Sequence, residues 1–389
     1  QDSDFFYLTG WTQMQGVLLL TPQENSENGE EVSMFVLPRI PKREVWTGPK
    51  AGIDEAMVLP GIDQAYDYGD FYTHLGKLIK GYERLVISHG SDLVFEHEFE
   101  ENFKSIRSRP SIVQEASSLL KSYRLIKSDH EINALQKAID VTHQSLEEVL
   151  PLIPGLSFEY EVQAAIEYGF ARRGAERMGF PSIVGAGKNA TYLHYEDNHG
   201  TLLAGDLLLM DIGAEWNYYS ADISRTVPIS GKFSSEQSAI YQLVLDAQYA
   251  AIELVKPGTS WRIPHERAIE VITSGLVDLG LLEGDPTDLI QEKAYRKFFM
   301  HGTSHWLGLD VHDAGGWVGD DGKPHILKPG MVLTVEPGIY IIESEDVDQK
   351  WWNIGVRIED DVLVTPKGHR VLSQSIPKTI QEIETLMQP

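Results

Sequence analysis

Asp211, Asp222, Glu336 and Glu359 each lie at or beside the end of an apolar run, where a strand can deliver a charged side chain to a site. Asp211 follows Leu207-Leu208-Leu209-Met210, and Glu336 follows Val332-Leu333-Thr334-Val335. A hairpin closed by a Trp216-Asn217 loop would pair 215 with 218, 213 with 220 and 211 with 222. Asp211 and Asp222 would then face each other, with Cβ atoms about 4.5–5.5 Å apart. Like charges so placed repel, and a cation is expected between them. A strand-end aspartate is more often solvated, but the run ahead of Asp211 argues for burial.

Three of the chain's 13 histidines, His301, His305 and His312, fall in one short segment with Gly302 and Gly308 among them. The glycines argue for an irregular or extended path rather than a helix. In Gly355-Val356-Arg357-Ile358-Glu359, strand alternation puts Arg357 and Glu359 on one face. An arginine alone there would more often be a surface ion-pair partner, so its role is inferred from Glu359. Two Asp, two Glu and at least one His make the ligand inventory of a two-metal hydrolytic site. Oxygen-rich donors with one imidazole suit Mn²⁺, Co²⁺ or Zn²⁺. Two such ions about 3.5–4 Å apart share carboxylates and hold a hydroxide as nucleophile. Rival chemistries are poorly supplied. With 0 cysteines there is no thiol nucleophile, disulfide framework or zinc ribbon. No Gly-x-Ser-x-Gly stands in the chain, and Gly185-Ala186-Gly187, lacking a Walker lysine, reads as a turn.

The elements that must position these groups follow from periodicity. The 389 residues suggest two domains. Up to about 125, short apolar runs alternate with turns: strands near 16–20 and 32–37 flank a polar loop over 22–31, helices are expected over 71–80 and 98–107, and a strand over 84–88. The opening residues read as the approach to a strand. This gives a small α/β domain over 1–125. Ser128 with Glu131 forms a capping-box signal ahead of a helix ended by Pro151. Further helices are expected over 158–173, from Ser234 (with Gln237) to 257, and over 263–279. Strands are expected over 206–214, 218–228, 331–336, 355–359 and 362–365. Residues 126–389 are therefore an α+β domain with an antiparallel sheet. Composition is ordinary, 42% hydrophobic and 23% charged, which excludes coiled coil and wholesale disorder. A formal net charge of −25 disfavours nucleic acid as a partner. No apolar run reaches the ~18–20 residues of a membrane span, and no basic region with an apolar stretch marks a signal peptide. Cytoplasmic placement is the expectation.

The joint pattern resembles one family. Asp211-Ile212-Gly213, then Tyr219, Asp222, Arg225, Thr226 and Pro228, the 301–313 segment, 334–340 and 355–361 are similar to the proline-specific metallopeptidases of the pita-bread (creatinase/aminopeptidase-like) fold. The closest likeness is to its Xaa-Pro aminopeptidase (aminopeptidase P) branch. It spans nearly the whole chain, including Ser3 to Gly10 and the linker 124–132, except that the family's N-terminal domain starts with a further strand and helix.

The resemblance implies five metal ligands. Asp222 and Glu359 would bridge both ions, Asp211 would complete one, and His305 and Glu336 the other. Glu336 would also serve as general base, with His312 and His194 near the tetrahedral intermediate, and His301, Tyr340 and Arg357 lining the proline pocket. It further implies a homo-oligomer, dimer or tetramer, in which Trp46 approaches a neighbouring subunit's active site; exposed Trp46 and Tyr72 are the surface signals. The expected activity is release of the N-terminal residue from peptides with proline second. A prolidase confined to X-Pro dipeptides is the alternative, and a metal-free pita-bread binding module or creatinase-like protein is the alternative of another class.

Overall fold

The computed structural model describes residues 2–22, 30–88, 92–319 and 321–388. Two compact units divide the chain, Gln1–Lys121 and Ser122–Pro389.

In the first unit, strands Gly16–Pro22 and Glu30–Val36 pair antiparallel, and Gln64–Asp67 adds parallel to the latter. Most of the polar loop expected over 22–31 lies outside the described residues. A parallel pair, Arg84–Ile87 with Ile112–Glu115, completes the strands. Helix Leu93–Ser105 starts earlier than periodicity suggested, because Asp92 caps it by accepting from the amides of Val94 and Phe95 at 3.0 Å. Its Phe95, Phe99 and Phe103 recur every four residues and align their rings along one face, with centroids 6.0 and 5.5 Å apart. That face closes a core with Phe35, Phe71, Leu75 and Leu85. Tyr72 is half-buried against this core, its ring 5.0 Å from Phe71, and is not the exposed aromatic expected. Trp46 is exposed. The opening residues form helix Ser3–Thr9 rather than a strand approach. Asp2 accepts from the Phe5 amide at 2.7 Å, and Gly10 ends the helix at φ 64°.

In the second unit the capping boxes open helices Asp129–Val149 and Ser235–Ile252, the latter ending short of 257. Helix Glu159–Arg172 packs on the first, close enough that a Cβ on Gly169 would lie 2.7 Å from Ser145. Helix Arg262–Asp278 pairs with Ser235–Ile252. Among the described residues, all strand pairing in this unit is antiparallel. Leu207–Ile212 lies between Ile183–Ala186 and Ile223–Pro228; Asp360–Thr365 lies between Val332–Val335 and Gly368–Val371; Gly338–Ile341 pairs with Ile354–Arg357. Gly185 and Ala186 thus belong to a strand, and only Gly187, at φ 52°, turns the chain.

The hairpin register differs from expectation. The loop is Asn217-Tyr218, both at positive φ (49° and 66°), with Trp216 opposite Tyr219. This is the geometry of a type I′ turn. Carried along the strands, Asp211 faces Ser224 instead of Asp222.

Candidate metal centre

The second unit's strands bring most of the expected residues together. Asp222, His305 and Glu359 each offer a ligand atom, and these three atoms lie within 4.8 Å of one another. His305 Nε2 stands 3.2 Å from Asp222 Oδ2 and 3.6 Å from Glu336 Oε1. Its Nδ1 is 3.1 Å from the Trp306 carbonyl and donates to it, so Nε2 turns a lone pair, not a proton, toward the two carboxylates. A lone pair facing carboxylate oxygens is repulsive unless a cation or a carboxyl proton lies between them.

Asp211 reaches the group from the neighbouring strand position, held at Oδ2 by Arg357 Nη2 at 2.6 Å, while its buried Oδ1 has no hydrogen-bond partner among the described residues. Arg357 is buried rather than on the surface. Its Nε donates to Ser224 Oγ at 2.8 Å, and Ser224 donates onward to Glu359 Oε2 at 2.8 Å. Its Nη1 donates to Tyr340 Oη at 3.1 Å, and that hydroxyl donates to His301 Nε2 at 2.8 Å. His301 Nδ1 lies 3.7 Å from Glu336 Oε2. The ring of His312, an exposed residue, lies 4.3 Å from that of His305. His194 is also exposed, and its charge bears on His301.

Electrostatics show what such a cage costs without metal. Burial, then Glu359 and Asp211, raises the Asp222 carboxyl well above the usual range. Burial, then Glu336 and Asp211, does the same to Glu359. Glu336 is pushed up to about 8 by burial, against the pull of Arg357. Burial lowers His305 to about 4, aided by His312, and His301 to about 3, aided by Arg357. Neutral imidazoles and crowded carboxylates with an orphaned buried oxygen are a donor set built for divalent cations.

Several contributors escaped the sequence reading. Asp361 Oδ2 accepts from the Asp222 amide at 3.2 Å. Ser224 joins Arg357 to Glu359. Arg225 is buried, and all five of its N–H bonds are used: Nε to Pro377 O (2.8 Å), Nη1 to Ser224 O (2.9 Å) and Glu359 O (2.5 Å), Nη2 to Asp360 Oδ1 (2.8 Å) and Ile376 O (3.2 Å). Arg124 and Lys127 both pair with buried Asp313, next to His312. Arg225 stood in the quoted motif and Arg124 in the linker, but no local spacing could say what they would touch.

Comparison with known proteins places this geometry. The family described as metallopeptidase family M24 matches residues 133–366, and the aminopeptidase P N-terminal domain matches 1–87. An Xaa-Pro aminopeptidase of Haemophilus influenzae is 43% identical over 100% of this chain and 88% of its own length. That of Escherichia coli is 38% identical over the same shares. Among solved structures, Pseudomonas aeruginosa aminopeptidase PepP superposes with a TM-score of 0.94 at 43% identity, covering 100% of this chain and 88% of that one. An E. coli aminopeptidase P variant in complex with substrate gives 0.93 at 36%, covering 100% and 89%. The architecture is therefore an α/β N-terminal unit followed by the pita-bread fold.

Proposed function

The chain belongs to metallopeptidase family M24, and we propose that the acidic cage is where it holds two divalent cations and opens the bond ahead of a proline. Its reaction is that of an Xaa-Pro aminopeptidase, metal-dependent hydrolytic removal of the N-terminal residue of a peptide. The observation that carries the site assignment is the convergence of Asp222, His305 and Glu359, with Glu336 beside His305, in a buried pocket short of positive charge.

Asp222 and Glu359 would be the shared ligands in this reading, with Asp211 completing one ion and His305 and Glu336 the other. When bound, the ions supply a water acidic enough to ionise near neutral pH and a Lewis acid for the scissile carbonyl. Glu336 accepts the proton from the attacking water and returns it to the departing proline nitrogen, which must leave as an amine. His312 donates to the oxygen on which charge develops, with His194 beside it. His301, fixed by the Tyr340 hydroxyl, walls the ring pocket with Tyr340, while Arg357 orients Asp211 and, through Ser224, Glu359. Because the X–Pro bond has no N–H, a site that grips the amino terminus and the ring fits it.

Hydrolysis of an X-Pro-Y tripeptide beside an X-Pro dipeptide, with Mn²⁺ and with chelator, tests this reading. Chelator-sensitive cleavage of the tripeptide is the expected result. Cleavage of the dipeptide alone identifies a prolidase, and no cleavage by metal-loaded protein refutes both. Manganese as the resident metal, cytoplasmic placement and a homo-oligomer complete the proposal; exposed Val45 and Trp46 on helix Pro41–Thr47 support the last. Metal analysis, cell fractionation and sedimentation check them.

A further inference from the structure

Gln248, on helix Ser235–Ile252, is fully buried and takes no part in the chemistry proposed above. Its Nε2 lies 3.2 Å from the carbonyl oxygen of Val335, 3.2 Å from that of Ile358 and 3.2 Å from Asp360 Oδ2. Val335 and Ile358 immediately precede Glu336 and Glu359. One side-chain nitrogen thus holds the backbone at the root of both glutamates.

The orientation of the amide is fixed from its other end. Lys378 Nζ donates to Gln248 Oε1 at 2.9 Å and to Asp360 Oδ2 at 2.5 Å, and sits 4.5 Å from the Tyr249 ring centroid. Turned over, the amide would present its oxygen to two carbonyls and a carboxylate, and its NH₂ to an ammonium. Only one orientation satisfies the network. Asp360 is locked in turn by Arg225, whose Nη1 donates to the Glu359 carbonyl. With both carbonyls on one nitrogen, the two oxygens stand no farther apart than about twice a hydrogen-bond length.

We propose that Gln248 is a positioning residue for the hydrolysis: by holding the Val335 and Ile358 carbonyls on one nitrogen, it sets the separation of the Glu336 and Glu359 carboxylates and so the grip of the cage on its cations. This rests on the reading that those two glutamates are the working carboxylates. A space-filling role alone would be met by any side chain of equal volume. A positioning role is not, because an apolar side chain cannot tie the two strand ends together.

Gln248→Met conserves volume and removes the donors. The test compares it with the parent chain and with Glu336→Gln for Mn²⁺ affinity by equilibrium dialysis, for kcat and KM on X-Pro-Y, and for melting without metal. We expect Mn²⁺ affinity at least tenfold weaker and kcat at least tenfold lower, with KM within twofold of the parent. Affinity and kcat within twofold of the parent overturn the proposal. So does a lowered melting temperature with metal affinity unchanged, which marks a structural role only. Should Gln248→Met not fold, Gln248→Ala decides by the same criteria, because it also removes the donors and leaves room for water to meet the freed carbonyls. An active Glu336→Gln would instead refute the site assignment, so the two failures read differently.

Discussion

Stripping the cations with a chelator and titrating the metal-free chain upward from pH 6.5 isolates the electrostatic load of the cage. Glu336 binds its proton with a pKa of about 8 in the folded chain, against an ordinary 4.5. Between those values the folded state holds a proton that the unfolded state has released. Its stabilising contribution is complete below pH 4.5 and is lost as the pH climbs through 8. Asp222 and Glu359, raised for the same reason, act in the same direction. His301 and His305, lowered to about 3 and about 4 from 6.5, work oppositely: their penalty is felt in acid and disappears as the pH rises toward 6.5. The two effects offset below pH 6.5, so the decline is unobscured only above it. Each carboxylate protonated in one state alone contributes about 1.4 kcal/mol per pH unit, or about 2 kcal/mol between pH 6.5 and 8. In a domain of this size, that corresponds to roughly 3–6 °C in melting temperature per pH unit. Scanning fluorimetry on metal-free and Mn²⁺-reloaded protein reads it directly. The metal-free catalytic unit should melt lower at pH 8 than at pH 6.5, and the reloaded one should show little slope. Reloading at pH 7.5 should also release at least about one proton per chain, visible as a buffer-dependent binding enthalpy. A metal-free melting temperature that is flat or rises over this interval would falsify the description of the cage.

Glu336→Gln should cut turnover by about 10²–10⁴-fold and shrink the metal-free pH slope without unfolding the chain; near-normal kcat sinks its role as base. Asp222→Asn should lower Mn²⁺ bound per chain in equilibrium dialysis, and unchanged occupancy removes Asp222 from the ligand set. Asp313→Ala leaves buried Arg124 and Lys127 without their shared carboxylate and should cost about 3–5 kcal/mol in denaturant unfolding. A loss below about 1 kcal/mol there would mean that Asp310, which also pairs with Arg124, carries the anchor alone.

What could be read from the residues was what is local. The Ser128/Glu131 and Ser234/Gln237 boxes placed two helix starts, because a cap is satisfied within four residues. The carboxylates were visible because each follows or caps an apolar run. The hairpin register was not, since it required Tyr218 to accept a positive φ that a bulky residue seldom adopts. The first helix was misread because Phe5, Phe6 and Tyr7 favour strands, while the cap at Asp2 and the stop at Gly10 went unweighed. Ser224, Asp361, Arg225 and Gln248 contact partners 87 to 152 residues away. Nothing in their own neighbourhood announces such contacts; only the folded strands do.

Arg225 and Lys378 tie the backbone beneath Glu359 to residues 376–378. That tie gives the centre an order of birth. A ribosome adding 5–20 residues per second needs about 8–30 s to travel the roughly 170 positions between Asp211 and Lys378. Only over the last stretch of it, after Glu359 has been added and before residues 376–378 follow, are all the ligands made without the final strap, and a nascent chain interrupted there carries the acidic groups without the frame that spaces them. A chain cut short of residue 376 is therefore expected to hold its cations more weakly than the full chain, having lost the straps on Asp360 and on the backbone beneath Glu359.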